Sequence, residues 1–149
     1  QIIFMKKYNL SFCHSSYDII NDDGKKISHF IVKKKIDYNE LLKCCDIGLS
    51  TVMCKKQILK QNSFSNTITK EDYFLWLNLI LKTKFFFGIK KKLVSWRKLD
   101  NSLSSPILQR FKDAFIMYSM HSKKFFLINA YYTLRLSIYA LIKKIKIYY

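Results

Sequence analysis

The side chains in this sequence best suited to chemistry are few. Two adjacent carboxylates, Glu71 and Asp72, stand immediately ahead of a stretch, Tyr73 to Leu81, that is apolar except for Asn78. A positioned carboxylate can take the proton from an attacking hydroxyl, the work of a general base. Acids in a first helical turn also complement the helix dipole and accept from its orphan N–H groups, and on residue type alone that structural role is the commoner one. Hydroxyls fall together at Ser50 and Thr51, just after Gly48, where a structural role at a strand edge is again the commoner one. Trp96-Arg97 precedes a serine-rich loop; a guanidinium matches the geometry of phosphate oxygens, and a solvated strand-end arginine is the equal alternative. Metal chemistry is not expected. Cys13, Cys44, Cys45 and Cys54 show no CxxC spacing, and His14, His29 and His121 are far apart, so the thiols read as reduced cysteines of a cytosolic protein. His14, on a strand, reads as a core residue.

Something must hold these groups. Ile2 to Lys6 reads as the end of a helix that breaks near Asn9. Leu10 to Ile20 alternates loosely and is rich in aromatic and β-branched residues, which predicts a strand. Asn21-Asp22-Asp23-Gly24 predicts a tight turn, because Asp-Gly tolerates positive φ, and Lys25 to Val32 returns as the second arm of a hairpin. Asp37 to Cys45 reads as a short helix with Asp37 at the N-cap and Glu40 three residues on, the capping-box spacing. After Gly48, Ser50 to Cys54 reads as a short buried strand, and residues 61–69 as a polar loop. Thr69 is the expected cap of the helix that carries Glu71, Asp72 and Trp76. That helix is apolar nearly all round and therefore buried, which puts Trp76 in the core before any other role. Phe85 to Gly88 and Leu93 to Trp96 read as two strands joined by a turn at Lys90-Lys91-Lys92. Pro106 suits a helix start, Ile107 to Met120 has helical periodicity, and Phe125 to Tyr149 forms a last long helix with Leu127, Leu134, Ile138, Leu141 and Ile145 on one apolar face. The chain divides accordingly into residues 1–104 and a basic amphipathic extension, residues 105–149.

The chain has 149 residues, half of them hydrophobic, which is enough for one domain with a true core. Lysine and arginine number 27 against 10 acids, a formal net charge of +17, which implies a polyanionic neighbour without choosing among nucleic acid, anionic lipid and phosphorylated ligands. The runs Lys33-Lys34-Lys35, Lys55-Lys56 and Lys90-Lys91-Lys92, interleaved with aromatics, raise a nucleic-acid surface; no helix-turn-helix, RNP or zinc-finger pattern accompanies them, and solvated lysine faces are the simpler account. The last helix does not read as transmembrane, since Arg135 at mid-span would cost roughly 2.5–3.5 kcal/mol. Beyond Asp113 there are six basic residues and no acid, which fits a helix lying on an anionic membrane or one packed on the domain. Nothing at the start resembles a signal peptide, and a chain opening with Gln1 is expected to be a piece of a longer one.

Five stretches fall in a suggestive order: Ser15-Ser16-Tyr17-Asp18 with Asp23-Gly24; Gly48-Leu49-Ser50-Thr51-Val52-Met53; Lys70-Glu71-Asp72-Tyr73-Phe74-Leu75-Trp76-Leu77; Leu93-Val94-Ser95-Trp96-Arg97; and Ser102-Leu103-Ser104. In this order and spacing they resemble the second half of bacterial family 2 glycosyltransferases that build cell-surface polysaccharides. The resemblance implies an α/β fold, an incomplete GT-A sheet, mostly parallel in the family and flanked by helices, with a C-terminal helical extension. It implies a nucleotide-sugar donor, a saccharide or lipid-linked acceptor, a divalent metal (Mg or Mn), and a place in the cytoplasm, peripheral on the inner membrane face. The family's Asp-x-Asp metal motif is absent here, and Gln1 corresponds to the helix just after it, so metal and donor binding belong to a segment this sequence does not contain.

The resemblance also assigns roles. Asp72 becomes the catalytic base of an inverting transfer, with Glu71 orienting the acceptor. Ser50 and Thr51 line the acceptor pocket with Trp76, whose ring suits an apolar sugar face, and Arg97 reaches the donor diphosphate. A basic protein without catalysis, bound to a membrane surface or to nucleic acid, is the alternative.

Overall fold

A computed structural model describes residues 1–60, 62–99, 107–122 and 125–148, with side chains described as far as Lys143. Its spine is β1 (Phe12–Ile20), whose first five residues are all buried. The hairpin forms as its turn residues predict: Gly24 takes φ +82°, and the Asn21 side-chain oxygen accepts from the Lys25 N–H at 2.7 Å. It brings β2 (Lys26–Phe30) antiparallel to the second half of β1. The two-residue β4 (Met53–Cys54) pairs antiparallel with the first half.

On the other edge of β1 runs β5 (Phe85–Arg97), parallel to it, and β3 (Lys35–Asp37) closes the outer edge of β5 antiparallel. Among the described residues only the β1–β5 pair is parallel, so this part of the sheet departs from the mostly parallel expectation. The two strands expected around a lysine turn are one strand of 13 residues. Its partners on β1 step from Ile89 at Ser15 to Lys92 at Ser16 and Val94 at Tyr17. A bulge thus absorbs the lysine run without reversing the chain, and Lys92 pairs with Asp18 at 3.4 Å. Gly88 is required inside this strand, since a Cβ there would collide with the Lys33 carbonyl oxygen.

Helix α1 (Ile2–Lys7) precedes the sheet, and α2 (Tyr38–Lys43) begins with the predicted capping box, Asp37 and Glu40 exchanging both bonds. The expected strand from Ser50 to Cys54 is instead a 3₁₀ turn, Leu49–Thr51, followed by β4, because the Thr51 N–H and hydroxyl both close back on the Gly48 carbonyl. A one-turn helix, α3 (Lys56–Leu59), follows. The core is built on α4 (Glu71–Thr83), whose Leu75, Leu77, Leu79 and Ile80 are buried with Phe12 and Phe86, two rings stacked at 3.7 Å.

Thr69 does not cap α4. Lys70 holds the cap position with no side-chain bond, and Thr69 gives both its N–H and its hydroxyl to Asp113 on α5 (Ile107–Ser122). Tyr73 on α4 and Tyr118 on α5 bring their hydroxyls to 3.1 Å from each other, within reach of the carbonyls of Leu41 and Leu42, and share two protons among these contacts. The last helix, α6 (Phe126–Tyr148), turns Asn129, Thr133 and Leu136 inward and leaves Leu127, Leu134, Ile138 and Leu141 exposed. No described helix is long and apolar enough to cross a membrane. Pro106, Ser102-Leu103-Ser104 and the side chain of Ile145 lie outside the described residues.

Candidate active site

A cavity of about 610 Å³ opens where the first turn of α4 meets the 48–51 turn and the end of β5. Its walls are Tyr17, residues 48–51, Thr69, Glu71, Asp72 and Trp96. Each wall is held by a local rule. The Thr51 hydroxyl donates to the Gly48 carbonyl at 2.7 Å, which tightens the turn and aims Ser50 outward. Tyr17 and Trp96 come from neighbouring strands, Tyr17 paired with Val94 and Ile19 with Trp96, and their rings meet edge to face at 6.5 Å. Trp96 remains 42 % exposed although it packs on Tyr17.

The carboxylates behave differently from each other. Asp72 Oδ1 accepts from the Tyr73 N–H at 2.7 Å. Burial raises the Asp72 pKa above the ordinary carboxylate value, the negative charge of Glu71 raises it further, and the Tyr73 N–H and Lys70 hold the rise in check. A carboxylate so placed is a stronger base than a solvated one. Glu71 Oε2 is buried with no hydrogen-bond partner among the described residues. An unpaired buried acceptor is costly to a fold, and it belongs to a residue that lines the cavity. Lys70, alongside, has its pKa lowered by burial.

The structure brings Ser50, Thr51, Glu71 and Asp72 to one cavity and does not bring Trp76 or Arg97 there. Trp76 is 3 % exposed and meets Phe12 edge to face at 5.2 Å, because α4 is enclosed by the sheet and α5 beyond its first turn. Arg97 gives Nη1 to the carbonyl oxygens of Asn21, at 2.8 Å, and Asp22, which ties the hairpin turn to the end of β5. The aromatic wall comes from Trp96 instead. In the sequence Trp96 reads only as the end of a strand; its alternation with buried Phe86 and Gly88 is broken by the bulge, so the face it takes is hidden. A second depression, about 380 Å³ and lined by Ile2, Met5, Lys6, Asn9, Met53, Cys54 and Lys55, contains no acid.

Among the described residues no group of three or more His, Cys, Asp or Glu could hold a metal ion. Glu71 and Asp72 offer two carboxylates without a third donor of that kind, so the side chains at the cavity do not fit the divalent metal that the resemblance implies. All four cysteines are free, and burial pushes the Cys44 thiol up to about 11 and the Cys45 thiol to about 12, which leaves them protonated and unreactive.

No family model matches the chain. It is similar to UDP-Glc:alpha-D-GlcNAc-diphosphoundecaprenol beta-1,3-glucosyltransferase WfgD of Escherichia coli, 42 % identical over 114 residues, covering 75 % of this chain and 44 % of that protein. It is 29 % identical over 119 residues to the putative teichuronic acid biosynthesis glycosyltransferase TuaG of Bacillus subtilis, covering 79 % and 47 %. A second Escherichia coli glucosyltransferase described in the same words as the first, WfaP, is 39 % identical over 92 residues, covering 62 % and 34 %. The chain thus spans less than half the length of these relatives. With the mixed sheet, its flanking helices and five motifs in family order, these matches show that the chain belongs to the glycosyltransferase family of polysaccharide biosynthesis.

Proposed function

We propose that the cavity is the acceptor side of an inverting sugar-transfer site. An acceptor hydroxyl attacks the anomeric carbon of a nucleotide-linked sugar; the new glycosidic C–O bond forms as the bond to the nucleoside diphosphate breaks, and the hydroxyl proton passes to Asp72. The Glu71 carboxylate accepts from a neighbouring acceptor hydroxyl and so fixes its angle of attack. Ser50 supplies a further polar contact, and Thr51 shapes the turn that holds it. Trp96, backed by Tyr17, offers a flat wall to the apolar face of a sugar ring. Arg97 has guanidinium donors beyond the two of Nη1 given to the hairpin turn, and these are its means of reaching a donor diphosphate.

The acceptor we favour is a saccharide carried on a lipid diphosphate, as the name of the Escherichia coli relative WfgD describes for that protein. An acceptor of that kind places the reaction at the inner membrane face. The observation that carries the reading is that two adjacent carboxylates, Glu71 and Asp72, line one cavity and that burial and the neighbouring charge raise the pKa of Asp72.

The test is a chimera in which this chain replaces the matched half of WfgD, assayed with UDP-glucose and an α-GlcNAc diphosphate carrying a short alkyl chain. Transfer that disappears with Asp72→Asn, in a chimera that remains folded, is the expected result. Transfer that survives that substitution removes Asp72 as the base.

A further inference from the structure

We propose that the outward face of α6 is a docking surface for an anionic lipid bilayer. Leu127, Tyr131, Leu134, Ile138, Leu141 and Ile142 are each at least 44 % exposed. They recur at steps of three and four, which puts them on one side of the helix, and the stripe from Leu127 to Ile142 runs about 22 Å at the helical rise. Phe125 and Phe126 extend it and are also exposed. The side turned to the protein is mixed: Asn129, Thr133 and Leu136 are buried, Arg135 donates to the Leu42 carbonyl at 2.9 Å, and Lys143 pairs with Asp46 at 2.8 Å. An apolar stripe of this length left in water is favourable only where something apolar covers it.

Charge selects the cover. From Ile107 to the end the chain carries eight Lys or Arg and one acid, Asp113, and that acid is buried against Thr69 and Gln109. A second copy would bring +17 against +17, whereas an anionic bilayer supplies hydrocarbon and negative charge together. A narrow convex stripe also suits a helix lying in the plane of a membrane surface.

The surface has a relation to the cavity. Lys143 near the end of α6 pairs with Asp46, two residues ahead of the cavity turn. Its ammonium lies 4.0 Å over the ring of Phe30, which packs on Tyr17 of the cavity wall at 5.4 Å. A bilayer docked on α6 would thus be tied through these contacts to the cavity wall that takes the acceptor. That consequence rests on the proposed lipid-linked acceptor; the docking itself does not.

The test is co-sedimentation of the full chain with vesicles of phosphatidylcholine alone or mixed with phosphatidylglycerol. Binding to the mixed vesicles at least about tenfold tighter than to the neutral ones, and weakened by added salt, is expected. Leu134→Glu with Ile138→Glu should lower that binding by about tenfold or more while the circular dichroism signal stays unchanged, since both positions are exposed. If the glutamates unfold the chain, Leu134→Gln with Ile138→Gln provides the same readout. Failure to bind anionic vesicles, or binding that survives these substitutions, overturns the proposal. So does a dimer in sedimentation velocity that the substitutions dissolve, which would give the face to a second copy. Sugar transfer is not measured in this experiment, so its failure leaves the reading of the cavity intact.

Discussion

Two aspartates flank Thr69 and do opposite things. Asp113 is 3 % exposed, and its two oxygens are filled by three donors: the Thr69 N–H and hydroxyl on one, the Gln109 amide on the other. Asp72, three residues along the chain from Thr69, accepts from its neighbour's N–H, and its pKa is pushed up by burial and by Glu71. The first arrangement is what a fold does with a buried charge when stability is the purpose. The second leaves free energy unrecovered beside an open cavity, which is how a reactive carboxylate differs from a structural one. Residue type does not separate the two; pairing does.

The largest effect is expected from Asp72→Asn in the chimera, a loss of transfer of about 10²–10⁴-fold, with thermal stability at pH 7 unchanged or raised. The sign follows from the raised pKa. The native state holds the Asp72 proton more tightly than the unfolded chain, so the ionised form is penalised at neutral pH and the penalty fades as pH falls through the folded pKa. A drop in stability at pH 7 would place Asp72 in the structural class with Asp113.

His14 is a buried polar group of a third kind, with neither ring nitrogen partnered among the described residues and no place on the cavity wall. Burial lowers its pKa from 6.5 to about 4. The unfolded chain therefore takes up this proton first as pH falls. Stability should decline between pH 6.5 and 4 by up to about 3 kcal/mol, and denaturant melts of His14→Leu should be flatter across that window. A profile that His14→Leu does not alter would mean the ring is charged or solvated.

Asp113→Asn comes next. One of its donors then meets an amide NH₂, and urea melts should show a loss of about 2 kcal/mol with transfer per folded molecule preserved. The smallest effect is that of Trp96→Ala: acceptor KM should rise about tenfold, the worth of one ring stacked on a sugar, while stability moves by less than about 0.5 kcal/mol because the side chain is half exposed. Trp76→Phe is the matched control, expected to reverse that order, because Trp76 packs in the core.

Local rules carried the sequence reading where they act over a few residues. The Asp37–Glu40 capping box and the Asn21–Gly24 turn are present in full, and the apolar run from Tyr73 fixed α4 as a buried helix. Misreadings arose where a distant partner decided the outcome. Thr69 has the right chemistry to cap α4, but Asp113, forty-four residues away, takes both its donors. Lys90-Lys91-Lys92 has the composition of a turn, yet pairing with β1 on one side carries the strand straight through it. The stripe on α6 was legible as a stripe; periodicity reports that a helix has an apolar side and is silent on what lies against it. Of the cavity, Glu71, Asp72, Ser50 and Thr51 followed from motifs in family order. Trp96 did not, since a bulge between it and Gly88 shifts the face a strand residue takes.

The most direct measurement is the carboxyl-carbon NMR titration of Asp72 and Asp113 in this chain, with and without the α-GlcNAc diphosphate carrying a short alkyl chain. The account predicts that Asp72 titrates above the ordinary aspartate range and that its resonance moves when the saccharide is added, while Asp113 does not respond to it. An Asp72 that titrates as a solvated aspartate and ignores the saccharide would contradict the assignment of the cavity.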